Sequence, residues 1–365
     1  AVSLGSGMVG SFTGNTLLNA LRGSVNLGAG RLGADLVRLT TSSGNITILA
    51  DELVASSSSV IRSSGNLVVE PNGNDFLNGF NWAVSQSSGV LASARFGKTT
   101  TPSVANAKAL YFQSTISAVG NVEFYAGLAD FSSNARVASS QGNIKIVAKD
   151  ITAGSNLSAA AGNILLTSDT FYMGSSNSIS ATVGAIEIAS LTPGRSIELR
   201  DSGVDFSKLT ITAGELGRMF SSFLRIGSDS AGSVAINTDI VRDQAGKDSL
   251  TIRSASNVQT GARLSNGLTA QLNVKKLAVR AGGTINILSS RTSGGANFIA
   301  LNSTNVSPGA VSYTQLSSYS PTISDGIEPV FGVPTVLTAT NVPEVEDKVV
   351  YQNATLNPAP VVRFA

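Results

Sequence analysis

The chain has 365 residues, 42% of them hydrophobic and only 13% charged, with 25 basic against 23 acidic side chains. That balance excludes the basic field on which nucleic-acid binding depends, and the low charge leaves Ser, Thr, Asn and Gly to carry the polar surface. Histidine and cysteine are both absent, which excludes Ser-His-Asp and Cys-His catalysis, histidine zinc sites and disulfides within this sequence.

Residues 1–38 read as an N-terminal cap. Asn15 stands as an N-cap ahead of Thr16-Leu17-Leu18-Asn19-Ala20-Leu21-Arg22, and Gly23 follows as a stop, which predicts a short capping helix near the N-terminus. The start at Ala1, with neither Met nor a basic leader, is read as a mature chain whose export signal has been removed. No apolar run reaches the ~18 residues of a membrane span.

From 39 to 306 one phrase recurs, a glycine and an asparagine followed by a short β-rich run. It appears as Gly44-Asn45-Ile46-Thr47-Ile48, Gly65-Asn66-Leu67-Val68-Val69, Gly120-Asn121-Val122-Glu123-Phe124, Gly142-Asn143-Ile144-Lys145-Ile146 and Gly162-Asn163-Ile164-Leu165-Leu166. A variant follows at Gly184-Ala185-Ile186-Glu187-Ile188. A turn signal and an alternating strand every 20–22 residues are the mark of a β-solenoid, in which each coil stacks on its neighbour at the ~4.8 Å strand spacing. The fold expected is therefore all-β, a parallel β-helix, and the crossover rule for parallel strands makes it right-handed.

Residues 71–109 interrupt the period and read as an insertion. They hold an aromatic cluster, Phe76, Phe80 and Trp82, with two readings: packing of the insertion onto the coil, or a surface contact on which a sugar ring stacks. Further on, Asp201 and Asp205, with Glu198 and Arg200 nearby, are the carboxylates that a lyase or hydrolase on this scaffold would need. Thr212-Ala213-Gly214-Glu215 has the form of a capping box and predicts a short helix over 213–221. No phosphate loop and no Gly-Gly-x-Gly-x-Asp calcium repeat occurs, so neither a cofactor nor a metal is expected.

Beyond 307 the turns stop and Pro308, Pro321, Pro329, Pro334, Pro343, Pro358 and Pro360 follow. Proline removes ladder donors, so 307–365 reads as an extended tail with edge strands at Val333–Leu337 and Lys348–Tyr351. Its apolar residues Val345, Val349, Val350, Tyr351, Val361, Val362 and Phe364 would either dock on a neighbouring subunit or fold back over their own coil.

The Gly-Asn-Ile-x-Ile turns, with Leu224-Arg225-Ile226-Gly227-Ser228 and Gly232-Ser233-Val234-Ala235-Ile236 after the predicted helix, make the stretch 40–300 resemble bacterial filamentous-haemagglutinin-type adhesins. The resemblance implies a secreted right-handed parallel β-helix. The expected function is a non-catalytic extracellular or cell-surface protein of structural or adhesive role, the subunit of a filament or sheath built by strand addition or end-to-end stacking. Its partners would be further copies of itself, surface glycans or other cell-surface proteins. A monomeric adhesin passenger that binds glycans is the first alternative. A pectate-lyase-like enzyme acting on polysaccharide is the second.

Overall fold

A computed structural model describes 44–50, 60–71, 90–99, 109–132, 135–242 and 249–289 as continuous pieces, and the shorter pieces 2–4, 9–12, 15–19, 24–27, 38–41, 52–55, 80–83, 85–86, 246–247, 298–303, 311–315, 322–323 and 361–364. These residues form strands and turns, with a single short helix at Ala213–Gly217 among them. The chain divides into two compact units, Ala1–Thr182 and Val183–Ala365. The boundary falls away from the changes of composition at 38 and 306.

The described residues of the first unit form four parallel ladders, one of them joining Val9–Phe12, Arg38–Thr41, Val60–Arg62 and Ser85–Gln86, and three that are followed in turn. In the first, Thr16 pairs with Ile46, Ile46 with Leu67, Leu67 with Ala94, Ala94 with Val122, Val122 with Ile144 and Ile144 with Ile164. In the second, Val25 pairs with Leu53, Leu53 with Phe80, Phe80 with Leu110, Leu110 with Ala129, Ala129 with Ile151 and Ile151 with Phe171. The third carries Thr115–Ala118, Arg136–Ser139 and Asn156–Ala159 in consecutive parallel pairs. The chain visits the ladders in rotation: the long strand Ile144–Ala153 serves the first and then the second, Asn156–Ala159 the third, and Ile164–Thr167 the first again.

Period-two alternation makes these runs strands, with the apolar member of each pair facing inward. In Ile144–Ala153 and Asn66–Glu70 buried and part-exposed residues alternate along most of the strand. Stacking then puts like on like. Ile46, Leu67, Ala94, Val122, Ile144 and Ile164 form one buried column, and Ile48, Val69, Phe96, Phe124, Ile146 and Leu166 form the next, all at most 1% exposed. Each large aliphatic side chain so buried contributes about 1.5–3 kcal/mol relative to exposure.

The sequence expectation fails at the N-terminus. Thr16–Asn19 is a strand in the first ladder, not a helix, and Leu17 points outward at 61% exposure. Asn15 does not cap a helix; its Oδ1 accepts the backbone N–H of Asn45 at 2.9 Å. Gly14-Asn15-Thr16-Leu17-Leu18 is one more copy of the repeating phrase, and ladder pairing overrides a local helix signal only a few residues long.

Within 71–109, read from the sequence as an insertion, the described strands belong to the same ladders. Phe80–Trp82 lies between Leu53–Val54 and Leu110–Phe112 in the second ladder, and Ser93–Phe96 lies between Asn66–Val69 and Val122–Phe124 in the first. In the first ladder Ala92-Ser93 stands where other strands are preceded by Gly-Asn.

In the second unit one parallel ladder runs from Leu224 to Leu250, Leu277, Ile299 and Ile323. A second runs from Leu209–Thr212 to Ile197–Arg200, Val234–Asn237, Val258–Thr260, Ile285–Ser289 and Val311–Gln315. The expected helix over 213–221 is shorter, ending at Gly217, and a strand begins at Met219. Its capping box is present: the Glu215 N–H donates to the Thr212 hydroxyl and the Thr212 N–H donates to the Glu215 carboxylate at 2.7 Å. The fully buried Arg242 ties the corner by donating to the carbonyls of Ser249, Met219 and Ser221.

Candidate functional site

The repeated turn forms a hydrogen-bonded ladder of its own. The Asn45 Oδ1 accepts the Asn66 N–H at 2.9 Å, the Asn66 Oδ1 accepts the Ser93 hydroxyl at 2.6 Å, the Asn121 Oδ1 accepts the Asn143 N–H at 2.9 Å, and the Asn143 Oδ1 accepts the Asn163 N–H at 2.8 Å. Parallel-strand geometry leaves a backbone donor at each corner, and the asparagine of the neighbouring coil satisfies it. The glycines stack with even less room. A Cβ on Gly142 would lie 2.2 Å from the Gly120 carbonyl carbon, and one on Gly162 would lie 2.0 Å from the Gly142 oxygen. Close approach, not a left-handed backbone, is what fixes glycine there.

A third member of this device escaped the sequence reading. Ser63 donates its hydroxyl to the Gly44 carbonyl at 2.7 Å and accepts the Gly65 N–H at 2.9 Å. Ser139 does the same between Gly120 and Gly142, and Ser254 between Gly232 and the Ser256 N–H. The signal was a serine two or three residues ahead of the turn, as in Ser63-Ser64-Gly65 and Ser139-Ser140-Gln141-Gly142. Asn45 and Asn156 both open Asn-x-Ser/Thr sequons, and both spend their side-chain oxygen within these ladders.

The aromatic candidates separate. Phe76 lies outside the described residues, and Phe80 is placed only as the ladder partner of Leu53 and Leu110. Trp82 is 1% exposed, with its ring edge-on to Phe96 at 5.0 Å. Phe96 continues to Phe112 at 4.8 Å, Phe112 to Phe124 at 4.7 Å and Phe124 to Phe131 at 5.0 Å, an inward spine of edge-to-face pairs. Trp82 is therefore a core residue, and no sugar reaches it.

The carboxylate candidates are each taken up by neighbours. Asp201 accepts the Thr238 hydroxyl at 2.6 Å and the Ser265 N–H at 3.0 Å, and hydrogen bonding from Ser265 and then Thr238 holds it below the ordinary carboxylate range. Asp205 is brought down to about 2 by the Ser207 hydroxyl and N–H and by Lys208. Glu198 is buried and meets Lys208 at 3.1 Å and Asn237 at 2.7 Å, while Arg200 stands 3.8 Å away. This is a clasp between strands, in which every carboxylate already has donors. Among the described residues no group of three or more Asp, Glu, His or Cys could hold a metal ion, and no helix is long and apolar enough to cross a membrane.

What remains on the outside of the first unit is a face of small and aromatic polar groups. Along the second ladder the outward positions run Asn81, Tyr111, Asp130, Thr152, Tyr172 in direct register. Tyr111 is 42% and Tyr172 52% exposed, three ladder steps apart, or about 14 Å at ordinary strand spacing. Asp130 between them is raised above its usual value by burial alone. The adjoining face carries charge of alternating sign, Arg95, Glu123 and Lys145 in register, and Arg95 reaches Glu70, two positions along from its register partner Val68, at 2.6 Å.

Of the tail candidates, Val345, Val349, Val350 and Tyr351 lie outside the described residues. Val361, Val362 and Phe364 lie in a strand, Val361–Phe364, that pairs antiparallel with Val311–Gln315 of the same chain. No protein-family model, no curated protein and no solved structure matches this chain.

Proposed function

We propose that this chain is a non-catalytic structural or adhesive protein of the cell exterior, a right-handed parallel β-helix of the kind its turns resemble in filamentous-haemagglutinin-type adhesins, and a subunit of a filament or sheath. The observation that carries this reading is the rotation of the chain through three parallel ladders, each coil handing hydrogen bonds to the next through Asn and Ser at the corners. Such a scaffold spends its polar groups on stacking and offers long outward faces for repeated contacts. The carboxylates that an enzyme would need are engaged in the Glu198–Lys208 clasp and in the Asp201 hydrogen bonds, which favours scaffold over catalyst. The test is negative-stain electron microscopy of native material labelled with an antibody to this chain. Decorated filaments or a continuous sheath are expected; dispersed single particles would overturn the filament.

A glycan-binding adhesin is the second reading, favoured by the two exposed tyrosines that flank Asp130 and Thr152 on one face. Tyrosine rings stack on sugar faces while carboxylate and hydroxyl groups take up sugar hydroxyls.

A further inference from the structure

We propose that the Val361–Phe364 strand is an edge guard: seated on Val311–Gln315, it closes the last described rung of a parallel ladder and keeps a second copy of this chain from adding to it. The inference rests on the self-assembling reading above and bars one route only, strand addition at this edge, which leaves contacts between copies in a filament to the outward faces.

Val311–Gln315 is a complete rung, paired at all five positions with Ile285–Ser289 in the parallel sense. A rung that is paired on one side presents a second row of N–H and C=O groups on the other, and such a row recruits any strand that meets it. Here the row is covered at four positions, Val311 by Phe364, Ser312 by Arg363, Tyr313 by Val362 and Thr314 by Val361. The covering strand runs antiparallel, against the parallel sense of the rungs beneath it.

The sequence of this strand is that of a terminator. It is four residues long, Pro358 and Pro360 lie just before it, and Arg363 lies within it. Short edge strands, proline and charge are the devices by which sheets refuse further pairing, because proline has no N–H to donate and a charge resists burial under a new strand. Pro360 also stops the strand from lengthening backward into a longer template.

The excluded occupant is a second copy because each copy carries strands suited to this row. Val2–Leu4, Val9–Phe12 and Thr16–Asn19 each pair, among the described residues, on one side only, with Ser24–Leu27, Arg38–Thr41 and Ile46–Leu49. A strand with one side unpaired among the described residues and the rung Val311–Gln315, which needs covering, are unlike surfaces. Unlike surfaces that meet head to tail give open-ended polymers. One antiparallel strand at Val311–Gln315 breaks that chain of additions.

The test compares the full chain with a chain lacking 361–365 by sedimentation velocity over a range of concentration. The shortened chain is expected to form species that are larger than those of the full chain under the same conditions and that grow with concentration. Excess peptide of sequence Pro-Val-Val-Arg-Phe-Ala should return the shortened chain to the distribution of the full chain. Equal distributions for the two chains would overturn the guard, and so would loss on shortening of an assembly that the full chain forms, since the strand would then be acting on a neighbour. If the shortened chain does not fold, hydrogen exchange on the full chain decides the matter: the amides of 311–315 should be protected to the same degree as those of 285–289, and exchange at free-peptide rates would overturn the proposal. Electron microscopy of native material tests the filament reading independently, so a failed guard and a failed filament are told apart.

Discussion

At the scale of single residues, the glycines of the turns are not interchangeable. Gly142 has the Gly120 carbonyl carbon and the Asn121 nitrogen within 2.5 Å of any added Cβ, and both are backbone atoms that stacking holds in place. Gly142→Ala should cost about 1–3 kcal/mol or more in urea unfolding. Gly217, which closes the short helix with nothing within 4 Å, should accept alanine with no loss or a gain of about 0.5–1 kcal/mol. Equal effects at the two positions would refute close approach as the cause. Two carboxylates give a matching test by pH. Asp201 is depressed in the folded state, so its stabilising share is present above about pH 4 and is lost as pH falls through its folded value. Asp130 is raised by burial, so it opposes folding at neutral pH and is relieved on acidification. Asp130→Asn should therefore raise the melting temperature at pH 7 and leave it unchanged near pH 3. Asp201→Asn should lower it at pH 7 and lose that effect in acid.

At the scale of elements, the inward-facing aromatics decide a question that spacing left open. Trp82 stands at the head of the spine Phe96, Phe112, Phe124 and Phe131, with all five rings at most 1% exposed. Trp82→Ala should cost about 3–5 kcal/mol in thermal or urea unfolding, and a surface residue would cost almost nothing. Much of this architecture was legible in the sequence, because Gly-Asn turns and alternating strands such as Ile144–Ile146 are local and carry their signal in a few residues. The Thr212–Glu215 capping box was legible for the same reason. Two rungs of the first ladder were hidden. The first sits 30 residues ahead of its neighbour, from Asn15 to Asn45, and so escapes a period near 21. The second replaces Gly-Asn with Ala92-Ser93, and the ladder survives because a serine hydroxyl reaches Asn66 as an asparagine amide does elsewhere. The clasp around Glu198 was half visible. The acidic residues stood out in the sequence, but their partners Asn237 and Thr238 come from a strand and turn nearly forty residues away.

At the scale of the whole molecule, an adhesive role rests on the exposed faces of the first unit. If the face bearing Tyr111 and Tyr172 takes up glycans, the double variant Tyr111→Ala, Tyr172→Ala should lose binding on a glycan array while keeping its melting temperature, since both rings are largely outside the core. Unchanged binding would leave the face without that role.

The intervals between successive corner residues carry a final consequence. Asn15 to Asn45, Asn45 to Asn66, Asn66 to Ser93, Asn121 to Asn143 and Asn143 to Asn163 span 30, 21, 27, 22 and 20 residues, and every one closes with the same side chain reaching the next coil. Arc length is thus a free variable between fixed anchor points, and loop-closure entropy charges only about 0.6 kcal/mol for a doubling. A scaffold of this kind lends itself to lengthening between anchor points, with each asparagine still reaching the next strand of its ladder.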